Sequence, residues 1–306
     1  MTGNGEKLGD SNIIPNSLSF DFLAFKSLTT LILIEMDITQ EKIGTFAMLR
    51  NTLVNLEAAR CALTCISDLL LCDAPSSSIA LSNRNEGMSN TQEQVEKDTS
   101  SKSSYSWKAL EYLNLRDNNI TVIDKSINFA PELKTLYLGS NSIKCVENIE
   151  SLSNLSILEL SNNKIEAADD LHTKLGQITR LDLDNNKIRS LVGCSKLYSL
   201  VELNVSSNKI NDMDNVLPVS KLPCLESLNL QGNHVTTVVD YRLKVFEAFG
   251  KRCSDLCLGK LSKVLGQVLN KISLSLTTDS LIIHQIFQIM NHPLSKKLTR
   301  FQYSWL

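Results

Sequence analysis

One line of sequence is written six times between Leu110 and Val235, and that repetition constrains the fold more than any other property of the chain. The copies are LEYLNLRDNNI from Leu110, LKTLYLGSNSI from Leu133, LSILELSNNKI from Leu155, ITRLDLDNNKI from Ile178, LVELNVSSNKI from Leu200 and LESLNLQGNHV from Leu225. Their starts lie 23, 22, 23, 22 and 25 residues apart. A unit this short cannot bury its own apolar residues, so consecutive units must stack and share one core.

Period and pattern together are those of a leucine-rich repeat. Within each copy the x-L-x-L-x segment alternates apolar and polar, which reads as a short strand with one buried face. Three positions after the second strand leucine (valine in the fifth copy) stands an asparagine: Asn118, Asn141, Asn163, Asn186, Asn208 and Asn233. Its amide can donate and accept, which suits it to satisfy backbone groups where the chain leaves the strand. In the remainder of a unit, Ile143, Val146, Ile149, Leu152 and Leu155 recur every third residue, the spacing of a short 3₁₀ or helical segment. The expected fold is therefore an α/β leucine-rich-repeat solenoid. It has a curved parallel sheet on the concave side, short 3₁₀ or α segments on the convex side, and a C-terminal capping helix.

Five segments follow along the chain. Residues 1–27 include Ile13, Ile14, Leu18, Phe20, Phe22, Leu23 and Phe25, apolar enough to supply an N-terminal cap. Residues 28–72 hold two worn copies, LTTLILIEMDI from Leu28 and LVNLEAARCAL from Leu53, with Met36 and Cys61 at the asparagine position. Residues 73–106 contain ten serines among 34 residues and predict a disordered insertion, too polar to offset its ordering entropy. Residues 107–258 carry the regular repeats and a helix over the last coil, with Asp240 as N-cap, Tyr241, Val245 and Phe249 on one face, and Gly250 as its stop. Cys253 and Cys257 would share a helical face there and pack rather than bind metal. Residues 259–306 form a basic amphipathic tail with six cationic residues against Asp279, suited to weak contact with a membrane surface or a partner.

Function classes narrow by exclusion. A net charge of −2 and 21% charged residues do not suggest nucleic-acid binding. Neither an apolar leader in MTGNGEKLGD nor a run of about 18 apolar residues is present, so neither export nor a transmembrane segment is expected. The eight scattered cysteines then read as reduced thiols. Phosphate-loop, nucleophile-elbow, zinc-helix and dinucleotide signatures are all missing, and His172, His234, His284 and His292 are isolated, so no enzyme and no cofactor is expected.

Resemblance adds detail. The x-x-I-x-x-I-x-x-L spacing resembles the 22-residue intracellular repeat class typified by the regulatory subunit of protein phosphatase 1. More specifically, LHTKLGQITRLDLDNNKI (Leu171–Ile188), KLYSLVELNV (Lys196–Val205), LPCLESL (Leu222–Leu228) and DYRLKVFEAFGKRCSDLCL (Asp240–Leu258) resemble the nischarin family of imidazoline-receptor-like scaffolds. The likeness spans Leu28 to Leu258; the family's phox-homology and coiled-coil regions are not recognisable in this sequence. It implies a cytoplasmic, endosome-associated scaffold for small GTPases, effector kinases and integrin tails. The broader class implies the alternative of a targeting subunit for a serine/threonine phosphatase.

The binding face can be written from the alternation, because the residues before, between and after the two buried strand positions point outward. Glu159, Asp182, Asp184 and Glu202 gather on three adjacent coils, with Arg180 among them and Tyr112, Tyr137 and Ile157 alongside. These eight residues are the expected partner-binding set, a basic segment being the expected ligand. Asp182 and Asp184 share a strand face, yet two exposed carboxylates alone do not make a cation site. Deleting residues 76–103 is expected to shift the melting temperature by no more than a degree or two, since loop length enters stability only logarithmically. A large destabilisation in a thermal melt would show that the segment packs on the repeats.

Overall fold

Each leucine-centred strand buries its middle residue and turns the flanking ones to the opposite side, so stacked copies generate one sheet above one core. The computed structural model describes residues 22–36, 38, 45–72, 105–168, 170–250, 252 and 256–258. Among these, β1 (Thr30–Ile34), β2 (Asn55–Ala59), β3 (Tyr112–Asn114), β4 (Thr135–Tyr137), β5 (Ile157–Glu159), β6 (Arg180–Asp182), β7 (Glu202–Asn204), β8 (Ser227–Asn229) and β9 (Cys257–Leu258) pair in parallel, in chain order, in a single sheet. Leu56, Leu113, Leu136, Leu158, Leu181, Leu203, Leu228 and Leu258 stand in register and are all buried. Each such side chain contributes roughly 1.5–3 kcal/mol of burial. Opposite the sheet run the 3₁₀ segments Lys125–Phe129, Val192–Cys194, Met213–Asn215, Leu217–Lys221 and His234–Thr237, with the short helices α1 (Ser67–Leu70) and α2 (Leu171–Lys174). Cys194 lies wholly inside this layer, where burial pushes its thiol up to about 12 and leaves it a small apolar core residue.

The asparagines bind the coils together. Asn163 donates through Nδ2 to the carbonyls of Leu160 and Ser161 in its own coil and of Leu138 in the preceding one, while its Oδ1 accepts from the N–H of Ile143 at 2.9 Å. Asn141, Asn186 and Asn208 repeat the pattern residue for residue. At the worn second copy the Cys61 thiol contacts the Leu33 and Ala59 carbonyls at 3.6 and 3.4 Å, reproducing the donor half of the amide. One position earlier, every coil enters the left-handed region: Glu35, Arg60, Asp117, Ser140, Asn162, Asn185, Ser207 and Gly232 have φ between 50° and 74°. Asn, Asp and Gly tolerate that conformation best, whereas the worn copies place Glu35 and Arg60 there and join them by an ion pair at 3.2 Å.

The stack closes across the serine-rich segment. Strands β2 and β3 pair directly although 52 residues separate Ala59 from Tyr112 in numbering. Trp107, fully buried, donates from Nε1 to the Leu70 carbonyl at 3.1 Å and packs on Phe46 with centroids 5.0 Å apart. Arg50 lies over the rings of both Trp107 and Tyr105. Asp124 joins the two sides as well, accepting from the N–H groups of Ile66, Ser67 and Ser126. Packed chain thus resumes at Tyr105, inside the stretch assigned to the insertion; residues 73–104 lie outside the described residues, as do 1–21 and the tail 259–306.

Several expectations change. Phe22 is buried against Phe46, whereas Leu23 and Phe25 are 48% and 53% exposed. The terminal helix α3 (Tyr241–Phe249) does form, with Val245 and Phe249 buried and Gly250 ending it at φ 56. Asp240 occupies the N-cap position in a left-handed conformation, so its carboxylate does not reach the helix N–H groups. After the helix the chain returns to the sheet as β9, which places Cys257 on a strand rather than on a helix face; Cys253 lies outside the described residues. No helix among the described residues is long and apolar enough to cross a membrane. Replacing Leu158 with Ala should cost about 2–5 kcal/mol by opening a cavity. Asn163→Ala should cost about 1–3 kcal/mol by orphaning buried backbone groups. Urea melts read both, and wild-type midpoints would contradict the stacking described above.

Candidate functional site: the concave sheet face

The outward residues before, between and after the two buried positions of each repeat form three rows along the concave surface, and the central row has a structural duty. Asn114, Glu159, Asp182, Asn204 and Asn229 each turn a side-chain oxygen back onto the N–H two residues later, at 2.9–3.2 Å. Such a bond satisfies a backbone donor just where the strand ends. Tyr137 cannot do this, having no acceptor at that reach. The vacancy is filled from the next coil: Glu159 Oε2 accepts from the Gly139 N–H at 3.2 Å.

Glu159 is consequently buried, contrary to its expected place on the exposed face. Its carboxylate accepts from Arg116 Nε at 2.7 Å, from the Gly139 and Ser161 N–H groups, and from the Ser161 hydroxyl. Gly139 makes room for it, since a Cβ there would lie 2.5 Å from Glu159 Oε1. Arg116, reaching across two coils, also lies over the Tyr137 ring at 4.1 Å. Tyr137 in turn meets Tyr112 edge to face with centroids 5.5 Å apart, a favoured aromatic geometry. Burial and the charge of Glu57 raise the Tyr112 hydroxyl pKa, keeping it protonated at neutral pH.

Of the eight residues expected at the site, Tyr112, Tyr137 and Ile157 stand together on β3–β5, half-buried. Arg180 pairs with Glu202 through two bonds of 2.6 and 2.8 Å, so those charges cancel. Asp182 and Asp184 make no ion pair among the described residues. Asp182 accepts at Oδ1 from the Asp184 N–H and the Asn204 amide, and Asp184 accepts from Ser206 Oγ at 2.6 Å. Burial raises the pKa of Asp182 above the usual aspartate range, opposed by those two hydrogen bonds and assisted by the charges of Glu159 and Asp184. The expected four-carboxylate cluster is therefore an aspartate pair beside two neutralised glutamates. Arg116 and Glu57 belong to this face and were not in the expected set. The clue in the sequence was Gly139, whose missing side chain leaves room for the Glu159–Arg116 bridge. Among the described residues no group of three or more His, Cys, Asp or Glu is placed to hold a metal ion.

Putting Ala at position 139 should displace the Glu159 carboxylate and cost about 1–3 kcal/mol. In a Glu159→Ser background the same change should cost far less, a coupling that a double-mutant cycle of urea melts would expose. Additive losses would place the constraint elsewhere.

A family model described as leucine rich repeat matches residues 108–165, and a second of the same description matches 199–212 and 221–238. Among solved structures, the chain is similar to internalin C2 of Listeria monocytogenes at 23% identity, covering 67% of this chain and 72% of that one, with a TM-score of 0.48. An internalin F of the same organism is 18% identical over 78% of this chain and 88% of its own, with a TM-score of 0.43. The family matches show that the chain carries leucine-rich repeats, and its described residues form a solenoid with a parallel nine-stranded sheet.

Proposed function

We propose that this chain is a non-catalytic scaffold whose concave face holds a basic segment of a protein partner. Leucine-rich repeats serve protein–protein interaction, and one observation carries the finer reading. A preorganised aromatic pair, Tyr112 and Tyr137, is locked by Arg116 a few strands from the unneutralised Asp182 and Asp184. A rigid aromatic contact loses little entropy on binding, and adjacent uncompensated carboxylates select a cation and set its orientation. Beside the aspartates, Arg180, Asp182, Glu202, Asn204, Asn229 and Gln231 line a concavity of about 370 Å³ that admits side chains of an incoming segment. The nischarin-like resemblance supplies the candidate partners, namely small GTPases, effector kinases and integrin tails, and a cytoplasmic, endosome-associated setting. A phosphatase catalytic subunit is the alternative partner.

Calorimetric titration of purified candidates, beginning with an integrin cytoplasmic-tail peptide, a Rho-family GTPase and a phosphatase catalytic subunit, tests the reading. Tyr137→Ala should weaken the binding partner by about 2 kcal/mol, as for an interface anchor. The double change Asp182→Lys with Asp184→Lys should slow association and flatten its salt dependence. Binding unchanged in both folded variants would remove the concave face as the site.

Proton linkage offers a separate check. The ionised Asp182 attracts the partner, and its folded pKa lies above the ordinary value of about 3.9. Affinity should therefore be complete near neutral pH and fall as acidification protonates Asp182, beginning above the range of an ordinary aspartate. Asp182→Asn, which retains the acceptor for the Asp184 N–H, should remove that part of the pH dependence. A pH profile identical to wild type would show that this carboxylate is not in contact with the ligand.

A further inference from the structure

The motif N-K-I recurs at Asn163, Asn186 and Asn208, and the concave site makes no use of its lysines. Just past each ladder asparagine, the backbone N–H of Lys164, Lys187 and Lys209 bonds to the carbonyl of Ile143, Ile165 and Ile188 one coil back. These lysines therefore form a column along the edge where the chain leaves the sheet. His234 occupies the same repeat position in the next coil, after Asn233. Neighbouring coils are about 4.8 Å apart, so charges in such a column act on one small ligand.

Lys187 is engaged by Glu166 at 3.0 Å. Lys209 and Arg189 have no ion-pair partner among the described residues, and their field reaches Glu166: Lys187 first, then Lys209 and Arg189, hold its carboxyl below the usual range. Between them opens a cleft of about 680 Å³. Arg189, Lys209, His234, Asn211, Thr236 and Thr237 contribute to its wall, and among the described residues no carboxylate does. The Thr236 and Thr237 hydroxyls donate to the Asn233 and His234 carbonyls, which fixes the wall beside the cations.

We infer that this edge cleft is a binding site for a phosphoryl group carried on a protein segment, with Arg189 and Lys209 as its cationic clamp and the Asn211 amide and His234 ring as further donors. Two exposed cations, with no acid among the described residues of the wall, match a dianion, and a guanidinium can take two of its oxygens at once. The exposed Glu166 carboxylate lies within the field of the same cations, so a broad anionic surface such as a bilayer would meet it as well as the cleft, whereas a single phosphoryl group meets only the cleft.

The test titrates O-phosphoserine into the full chain labelled with nitrogen-15 and follows the backbone amides, with serine and glutamate as controls. Saturable shifts confined to the amides around Arg189, Asn211, His234 and Thr236 are expected from phosphoserine and not from serine. Arg189→Gln with Lys209→Gln, both at exposed positions, should weaken the interaction about tenfold or more without altering the thermal melt. Lys164→Gln, in the same column but outside the cleft wall, should have little effect. Absence of saturable shifts, equal shifts from glutamate, or equal losses from the Lys164 change would each overturn the site. So would sedimentation with phosphatidylserine vesicles that depends on Arg189 and Lys209 while phosphoserine gives no response.

Discussion

The hydrogen bonds of one buried asparagine in each regular coil hold this structure to its period. A side-chain amide has donors for two or three carbonyls and an acceptor for an N–H; in Asn163 the donor end serves carbonyls of its own coil and of the coil before, and the acceptor end an N–H of the coil before. A buried backbone group left unpaired costs about 1–3 kcal/mol, so the amide decides whether the chain can leave the strand inside the protein at all. The left-handed residue before it follows from the same requirement. It turns the backbone so that the amide points inward, which explains why Asp, Ser, Asn and Gly fill that position in the regular coils. Where Cys61 replaces the amide, the donor contacts persist, and the worn coil still pairs with its neighbours in register.

The concave face shows how the fold's needs limit what remains for recognition. Most central-row side chains are already committed to capping the N–H two residues on, so their polarity is internal to the protein. Tyr137 interrupts that row, and the consequence spreads over three coils. Glu159 takes over the missing bond, Gly139 leaves it room, and Arg116 neutralises it while stacking on the tyrosine. One aromatic residue free to face solvent thus depends on a glycine, a buried carboxylate and an arginine being in place together. The charges on this face separate in the same way: Glu202 and Arg180 cancel, and the aspartate pair does not.

The two long departures from regularity meet the same requirement of continuity. Across the serine-rich segment, Trp107, Arg50 and Asp124 rejoin the chain so that β3 takes its place on β2 as though no residues intervened. At the far end, α3 covers the last coil and β9 extends the sheet beyond the recognisable repeats. Arg252 aids that return by donating to the Leu222 and Leu225 carbonyls.

By itself the sequence determined the solenoid, its parallel sheet, the inward leucines and the ladder asparagines, because these depend only on period and alternation, which every stacked copy must satisfy. It also located Tyr112, Tyr137, Ile157, Asp182 and Asp184 on one face, since alternation fixes the side of the sheet. Tertiary structure alone decided which of those groups are available. Glu159 lies inside because a bridge to Arg116, two coils away, passes over Gly139 of the intervening coil, a contact that no rule of local spacing contains. Asp240 sits at a helix start without capping it because the backbone arrives there left-handed. Cys257 returns to a strand because the sheet edge left by β8 offers backbone partners that an isolated segment does not have.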